Sequence, residues 1–331
     1  IIKNSTSGAY TVQLKAASGS GATVTWATTD KGWKIVYFDG VATNTGVYDV
    51  NSNLSDITVN DLTVNGNLDV DGGTIKLDGN YPVGASNVAL GNATLSSGSL
   101  SGSYNTAIGS LVLQNNTTGC RNTAIGDVAL LSNTTGCQNV AVGRRSLNSN
   151  TTATNNTAVG YETLYSNSTG ATNVAVGPSA LYYNTTGGNN VGIGSTSLYE
   201  NTTGGSNVAV GIYSLRNNTT ASNNTAVGKS ALCTNTTGAC NVAFGCGALL
   251  ANTTASYNVS IGLQSSLSNT TGTQNVVAGS FALQSNTTGN CNTTIGHSSG
   301  YAGTTASCNV SIGNRSLCKI TTGSSNVAVG L

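Results

Sequence analysis

The stretch that decides the fold is Asn105-Thr106-Ala107-Ile108-Gly109, a pentad that recurs through the rest of the chain. From Asn105 to Asn326 the asparagine that opens the pentad returns every 17 residues without an insertion. One earlier copy begins at Asn87, 18 residues upstream, which brings the number of copies to fifteen. The complete unit reads Asn-(Val/Thr)-Ala-(Val/Ile)-Gly-x-x-(Ser/Ala)-Leu-x-x-Asn-Thr-Thr-Gly-x-x, and its residues are numbered below as positions 1 to 17.

This repeat predicts an all-β fold, a parallel β-solenoid or β-roll with one 17-residue unit in each coil. The unit is too short for two packed helices, and its asparagine, glycine and threonine favour turns or strands. Stacked coils hydrogen-bond to each other about 4.8 Å apart, so the copies predict a rod on the order of 70 Å long.

The apolar pattern predicts which side chains fill the coil. In a strand, positions 2 and 4 point to one side and position 3 to the other. Because position 4 is apolar in every copy, we expect positions 2 and 4 to point inward. The leucine at position 9, as in Leu113, Leu130 and Leu232, is expected to join them in a thin continuous core.

Position 3 would then point outward, and it is small in most copies. It is alanine in ten copies and Gly192, Ser260, Val277, Thr294 and Ser311 in the others. This small size predicts a subunit interface around a threefold axis, where another backbone approaches closely; the alternative is an ordinary solvent-exposed face. The candidate interface ladder consists of Ala107, Ala124, Ala141, Ala158, Ala175, Ala209, Ala226 and Ala243.

Two asparagine ladders run along the predicted rod. The asparagine at position 1 is invariant and is typical of a turn whose amides stack from coil to coil. The asparagine at position 12 opens an Asn-Thr-Thr or Asn-Ser-Thr triplet, which is either a further turn, a row of N-glycosylation sites, or part of a threonine array that binds ice. The members of this second ladder are Asn116, Asn133, Asn150, Asn167, Asn184, Asn201, Asn218, Asn235, Asn252, Asn269 and Asn286.

Two cysteine pairs fall at the repeat spacing, Cys120 with Cys137 and Cys291 with Cys308. Stacked coils place such Cα atoms about 4.8 Å apart, inside the window of about 4.4–6.8 Å that a disulfide requires. Each pair is therefore either a disulfide between coils, in an oxidising environment, or two free thiols in place of small residues.

Composition limits the functions to consider. Only 7% of the residues are charged and the net charge is +1, with no basic cluster, so no nucleic-acid partner is expected. After residue 104 the only acids are Asp127, Glu162 and Glu200, at different positions of different coils, and the single histidine, His297, has no evident partner. We therefore expect no catalysis, no cofactor and no metal site. No apolar run is long enough to span a bilayer.

The residues before the repeat follow a different sequence pattern. Residues 1–50 contain short strand-like runs with glycine and aspartate turns and predict a small antiparallel β module. Residues 51–84 alternate apolar and polar side chains, which predicts a β-rich neck that trimerises, and residues 85–331 form the solenoid. The chain begins at Ile1 and contains no methionine, which favours a processed chain or a piece of a longer one.

The repeat unit, with its Asn-Thr-Ala-Ile-Gly, Leu, Asn-Thr-Thr-Gly and Asn-Val-Ala-Val-Gly elements, resembles repeats of phage tail-fibre proteins. It is also similar to the head repeats of trimeric autotransporter adhesins, whose repeat is shorter. The runs 6–12, 35–40 and 56–64 look like modules common in phage tail proteins. The resemblance implies a homotrimeric β-rich fibre at a virion surface, outside the cell, that contacts other tail proteins and a host receptor of glycan or protein nature.

The function expected from these observations is structural. A virion fibre shaft or head would space, or present, a tip that binds the host. The alternatives are the head of a bacterial cell-surface adhesin and, as a minor one, an ice-binding solenoid.

Overall fold

A computed structural model of the chain describes residues 2–4, 12–15, 23–26, 32–34, 36–38, 47–49 and 86–331. The chain divides into two compact units, Ile1–Ile75 and Lys76–Leu331. The described strands of the first unit are β1 (Ile2–Asn4), β2 (Val12–Lys15), β3 (Thr23–Trp26), β4 (Gly32–Lys34), β5 (Val36–Phe38) and β6 (Val47–Asp49). They form three antiparallel pairs, β1 with β4, β2 with β3, and β5 with β6. The predicted neck over residues 51–84 lies outside the described residues.

The second unit is a parallel β-solenoid, which confirms the predicted fold class. Its sheet has fifteen strands in consecutive order, one for each copy of the pentad. The strands are β7 (Val88–Leu90), β8 (Thr106–Ile108), β9 (Thr123–Ile125), β10 (Val140–Val142), β11 (Thr157–Val159), β12 (Val174–Val176), β13 (Val191–Ile193), β14 (Val208–Val210), β15 (Thr225–Val227), β16 (Val242–Phe244), β17 (Val259–Ile261), β18 (Val276–Ala278), β19 (Thr293–Ile295), β20 (Val310–Ile312) and β21 (Val327–Val329). From β8 onward each residue pairs with the residue 17 places further along, as Val208 does with Thr225.

Backbone hydrogen bonds between coils continue beyond the strands. The amide of Val208 donates to the carbonyl of Asn224 at 2.8 Å, and the amide of Leu215 donates to that of Ala231 at 3.0 Å. The corner at position 13 is tied in the same way, since Thr219 N donates to Thr236 O at 3.1 Å. The coil is therefore cross-linked to its neighbours on every side, which explains how a chain with few large apolar residues holds a fixed shape.

Left-handed backbone turns close each coil. Non-glycine residues with positive φ recur at positions 7, 9 and 17, for example Tyr213 (61°), Leu215 (48°) and Ser206 (57°). The glycine at position 5 lies further out, as in Gly211 with φ 130°, where a residue with a Cβ is strained. The strand consequently bends away immediately after position 4, and the coil closes within 17 residues.

The interior is filled from the side of the strand opposite to the one predicted. The alanines at position 3 from Ala107 to Ala243 have no exposed surface and pack with the leucines of position 9, whereas positions 2 and 4 point outward. The candidate interface ladder of Ala107, Ala124, Ala141, Ala158, Ala175, Ala209, Ala226 and Ala243 is therefore inside the coil, and its assignment to a subunit interface was wrong. The inward leucines are confirmed.

The reason for this orientation is the thinness of the coil. A Cβ built on Gly192, which occupies position 3, would lie 3.3 Å from Cδ1 of Leu181, so little more than a methyl group fits opposite each leucine. One coil reverses the sizes: it has Thr294 at position 3 and Gly300 at position 9, and a Cβ on Gly300 would lie 3.2 Å from Cγ2 of Thr294. The two positions therefore share one small volume, and the only valine at position 3, Val277, follows a coil that has Ser266 in place of leucine at position 9.

Candidate functional site

The first asparagine ladder, at position 1, is fully inside the solenoid. In the central coils Asn207 Nδ2 donates to Asn190 Oδ1 at 3.2 Å and to the carbonyl of Ala221 at 2.8 Å. The amide nitrogen of Asn207 also donates to Asn190 Oδ1, at 3.0 Å. Each side chain thus bonds one neighbouring coil through its oxygen and completes its own coil through its nitrogen, as a buried amide must.

The second asparagine ladder, at position 12, meets the first on a shared acceptor. Asn218 Nδ2 donates to Asn201 Oδ1 at 2.8 Å and to the carbonyl of Ala221 at 3.0 Å. That carbonyl, at position 15, therefore accepts one bond from each ladder. The two ladders fix opposite ends of the segment from position 12 to position 17, and so they serve as corners of the coil.

The position of the second ladder excludes sugars in the folded coil. Its members, Asn116, Asn133, Asn150, Asn167, Asn184, Asn201, Asn218, Asn235, Asn252, Asn269 and Asn286, are all fully or almost fully buried. N-glycosylation would attach to Nδ2, the atom that donates both hydrogen bonds. The structure thus contradicts the glycan alternative and agrees with the turn. The neighbouring threonines lie on a bend, and at position 13 Thr202 Oγ1 donates to the carbonyl of Thr219 at 3.0 Å, so this hydroxyl is bonded within the fold.

Positions 2 and 4 form an apolar surface, named here the outer strand face. Position 2 is valine or threonine in every copy, and position 4 is apolar in every copy. Many of these side chains keep substantial exposure, for example 36% for Val176, 38% for Ile193 and 56% for Phe244. No charged residue interrupts the two columns over the fifteen strands. A continuous exposed apolar surface of this length is typical of a protein interaction site.

Positions 6, 7, 10 and 11 form a second surface, the variable face, which carries nearly all the polar chemistry of the solenoid. From residue 105 onward every charged, histidine or aromatic residue except Arg121, Phe244 and Tyr257 occupies one of these positions. They lie close together in space, because Arg216 at position 10 lies over the rings of Tyr199 and Tyr213, from positions 10 and 7. Positions 1 to 5, 9 and 12 to 15 change little between coils, whereas the residues of this face differ from coil to coil.

Ion pairs and stacked tyrosines occupy the middle of the variable face. Arg144 Nε lies 3.3 Å from Asp127 Oδ2, and Arg145 Nη1 lies 3.0 Å from Glu162 Oε1, a hydrogen bond that raises the pKa of Arg145. Tyrosines at position 10 stack on successive coils. The ring centroids of Tyr165 and Tyr182 are 5.1 Å apart and those of Tyr182 and Tyr199 are 5.4 Å apart. These rings contact each other with their faces, so they present mainly their edges to solvent.

The stacked tyrosines predict a loss of stability at high pH. Burial raises the pKa of Tyr182 and of Tyr199 above the ordinary value of 10.0, and at Tyr199 a hydrogen bond with Tyr183 adds to this effect. The folded state then holds these protons more tightly than the unfolded state, so this stabilisation is present below about pH 10 and is lost as the pH rises through the raised pKa. Urea midpoints at pH 9 and pH 11 should fall more steeply for the wild type than for Tyr182→Phe/Tyr199→Phe; equal slopes would contradict the assignment.

A cleft opens on the variable face towards residue 331. It is lined by Gln264, Phe281, Gln284, His297, Ser298, Tyr301, Arg315, Cys318 and Lys319, which belong to four successive coils. Its volume is about 720 Å³, in the range of small-molecule sites. The sequence prediction assigned no role to any of these residues, because residues from four coils come together only when the positions are stacked.

The structure distinguishes the two cysteine pairs. Cys120 Sγ lies 2.8 Å from Cys137 Sγ, and this hydrogen bond raises the pKa of the Cys120 thiol. Cys291 Sγ instead lies 3.3 Å from Gln274 Oε1, on the coil that precedes it, whereas Cys308 is on the coil that follows. All four are free thiols in this structure.

We therefore expect mild oxidation to join Cys120 and Cys137 before Cys291 and Cys308. The thiols of the first pair already touch, and the raised pKa means that the reaction should accelerate as the pH rises above neutrality. Mass spectrometry after alkylation without reductant should find Cys120 and Cys137 unmodified and the other cysteines alkylated. Closing a loop of this length stabilises a fold by up to about 3 kcal/mol. Alkylation of all four cysteines at the same rate, with Cys120→Ser as the control, would contradict the expected order.

The described residues offer few groups for catalysis. Asp127 and Glu162 each pair with an arginine, and no two of the three solenoid acids share a position in the unit. Within the described part of the chain no group of three or more histidine, cysteine or acidic residues is placed to hold a metal ion. The surfaces present are suited to binding and packing: an apolar strip on one side and a polar, aromatic face on another.

Among the described residues there is no helix long and apolar enough to cross a membrane. Neither protein-family models, nor curated proteins, nor solved structures gave a match when compared with the chain.

Proposed function

We propose that the chain is a structural fibre protein of a virion surface, which spaces or presents a part that binds the host. The observation that carries the proposal is the outer strand face, a largely apolar strip without a charged residue that runs along the stacked coils. A strip of this kind needs a partner to cover it in water. A rod that associates along its length is a shaft, and shafts are built for reach and rigidity.

The partner that best fits the outer strand face is a second copy of the same chain. Each coil contributes one side chain to the position 2 column and one to the position 4 column, so the side chains along each column are about 4.8 Å apart. A covering surface needs the same repeat if side chains are to interdigitate along the whole length, and the solenoid itself supplies that repeat. The absence of charge from both columns removes the desolvation penalty that charged groups would add on contact.

Three parallel copies around a common axis are the arrangement we propose. In such a trimer the position 2 column of each copy contacts one neighbour and the position 4 column contacts the other. This is a closed ring of heterologous contacts. The two columns differ in composition, as two different partners would allow: position 2 holds only valine or threonine, whereas position 4 holds valine, isoleucine, leucine, phenylalanine or alanine.

The proposed fibre has no catalytic role and acts through its surfaces. The solenoid acids lie apart, and two of them are held in ion pairs, so no pair of carboxylates converges on a substrate. Other tail proteins and a host receptor are the proposed partners, and the resemblance of the repeat to fibre repeats supports this choice. The head of a bacterial cell-surface adhesin is the second candidate, because the same repeat resemblance extends to that class.

Immunogold labelling distinguishes the two candidates. Antibodies raised against residues 86–331 should decorate fibres on particles purified from the source culture. Label confined to the cell envelope, with none on particles, would favour the adhesin and overturn the virion fibre. Antibodies preabsorbed with the purified chain provide the control for specificity.

A further inference from the structure

The cleft on the variable face near residue 331 is built differently from the rest of that face. Positions 6, 7, 10 and 11 of four successive coils converge there. Aromatic, amide and cationic side chains occupy these positions, in place of the ion pairs found earlier in the chain between residues 127 and 162. The ring of Tyr301 remains 42% exposed and borders a space of about 720 Å³. A pocket of this size accepts one or two sugar rings or a ligand of similar bulk.

The cleft carries positive charge without a neighbouring acid. The cations that line it are Arg315 and Lys319. After Glu200 the chain contains no aspartate or glutamate, so within residues 86–331 nothing nearby neutralises these cations. The middle of the face is different, since its arginines pair with Asp127 and Glu162. An anionic group on a ligand would supply the missing partner.

Aromatic and amide groups complete the lining. Phe281 and His297 meet edge to face with centroids 5.8 Å apart, which holds both rings in place. Gln284 Nε2 donates to Gln264 Oε1 at 3.1 Å. This bond leaves Gln284 Oε1 and Gln264 Nε2, an acceptor and a donor, to bond the hydroxyls of a ligand.

We propose that this cleft binds an acidic saccharide, a sugar unit that carries a carboxylate or a sulfate. Arg315 and Lys319 pair with the anionic group, and the amides of Gln264 and Gln284 form hydrogen bonds with ring hydroxyls. An apolar face of the sugar packs on the ring of Tyr301. The inference rests on the proposed function, for which it supplies the location and chemical class of one host contact.

A nucleic acid fits the cleft less well. A polyanion is held by a track of many cations, whereas the described solenoid has two cationic side chains at this place, Arg315 and Lys319, and no continuing basic stripe. The affinity for a nucleic acid would also fall when any cationic side chain of the variable face is removed. Polyanion binding is therefore one outcome that the test must detect.

The repeat itself supplies conservative variants for the test. Glutamine already occupies position 7 at Gln264 and position 10 at Gln284, so Arg315→Gln and Tyr301→Gln place residues that the coil accepts. The matched control is Lys229→Gln, which removes one positive charge from position 6 of a coil outside the cleft. Thermal unfolding of each variant checks that the fold is unchanged.

Calorimetric titration of the full chain at physiological salt uses five probes. The saccharides are a sialylated trisaccharide, a uronic acid disaccharide, a sulfated disaccharide and the neutral disaccharide that remains when the sialic acid is removed; the fifth probe is a single-stranded DNA oligonucleotide. We expect at least one acidic probe to bind and the neutral one not to. Arg315→Gln should weaken that binding about tenfold or more, since a charge-assisted hydrogen bond is lost, and Tyr301→Gln should weaken it too. Lys229→Gln should bind as the wild type does.

Three results would overturn the inference: no acidic probe binds, the neutral probe binds equally well, or Lys229→Gln loses as much affinity as Arg315→Gln. The last result, together with binding of single-stranded DNA, would indicate a general attraction for polyanions. Any of these would leave the proposed fibre standing if antibodies label fibres on particles. Sugar binding by a chain absent from particles would instead overturn the virion fibre and keep the cleft.

Discussion

Replacing Gly211 by alanine is expected to destabilise the solenoid by about 2 to 6 kcal/mol, which combines a strained backbone conformation with steric overlap between coils. The φ of Gly211 is 130°, and an added Cβ would lie 2.7 Å from the carbonyl carbon of Gly228. That carbon belongs to the backbone of the next coil, which is hydrogen-bonded on both sides and has no room to withdraw. Urea unfolding followed by circular dichroism measures the change.

Gly205→Ala is the matched control for this substitution. Gly205 lies in an adjacent coil at position 16, where the nearest atom to an added Cβ is the carbonyl oxygen of Gly188 at 3.1 Å. The same position is alanine at Ala171 and Ala239, so the coil accepts it. We expect a change within about 0.5 kcal/mol. Equal effects of the two substitutions would show that the close approach of adjacent coils at position 5 does not require glycine.

The second large effect is expected from Asn224→Asp, about 3 to 5 kcal/mol at pH 7, the range found when a buried charge is left without a partner. Asn224 has no exposed surface, and its Nδ2 donates to the carbonyl of Gly238 at 2.9 Å. Aspartate removes that donor and places a carboxylate oxygen against a carbonyl oxygen. Burial should raise the pKa of the new carboxyl, so the unfolded state loses its proton first and the penalty grows as the pH rises above about 4.

Asn223→Asp, one residue earlier, makes the same chemical change on an exposed side chain. We expect it to have little effect at any pH. Unfolding at pH 4 and pH 7 should therefore recover part of the stability of Asn224→Asp at the lower pH and leave the control unchanged. A variant at Asn224 that is as stable as the control at pH 7 would show that the ladder amides are dispensable.

Much of the solenoid could be predicted from the sequence because its repeat is strict. The period set the coil length, the parallel register and the stacking, and the leucine at position 9 was placed in the core from its regular recurrence. Three-residue strands such as Val208–Val210 reveal that position 3 differs from positions 2 and 4, but the alternation alone does not say which side is inside. The apolar character of position 4 suggested the wrong side.

The sizes of the residues at positions 3 and 9 indicate that position 3 lies inside the coil. Only one leucine occurs in most coils, and a coil so thin has room opposite it for alanine and little more, as Gly192 against Leu181 shows. The coil with Gly300 at position 9 has the larger Thr294 at position 3, a compensation that only facing residues require. The burial of the amides and the cleft were not predictable in the same way, because they depend on how turns with left-handed residues fold back over the strand.

The solenoid thus separates its tasks by position in the unit. Asparagine amides and small residues build the coil, an apolar surface lies on the outside, where we propose that other copies pack, and the variable face carries the polar and aromatic groups. The central claim is that other copies of the chain cover this strip, because the proposed fibre depends on that association.

The mass of the chain in solution tests that claim most directly, by light scattering coupled to gel filtration. We predict about 99 kDa for the wild type, three times the chain mass of 33.0 kDa. Val176→Lys/Ile193→Lys, which places charges on the outer strand face, should shift the mass towards 33.0 kDa. Thr186→Lys, on an exposed bend away from that face, should leave the trimer intact. A wild-type mass of 33.0 kDa at every concentration would contradict the account.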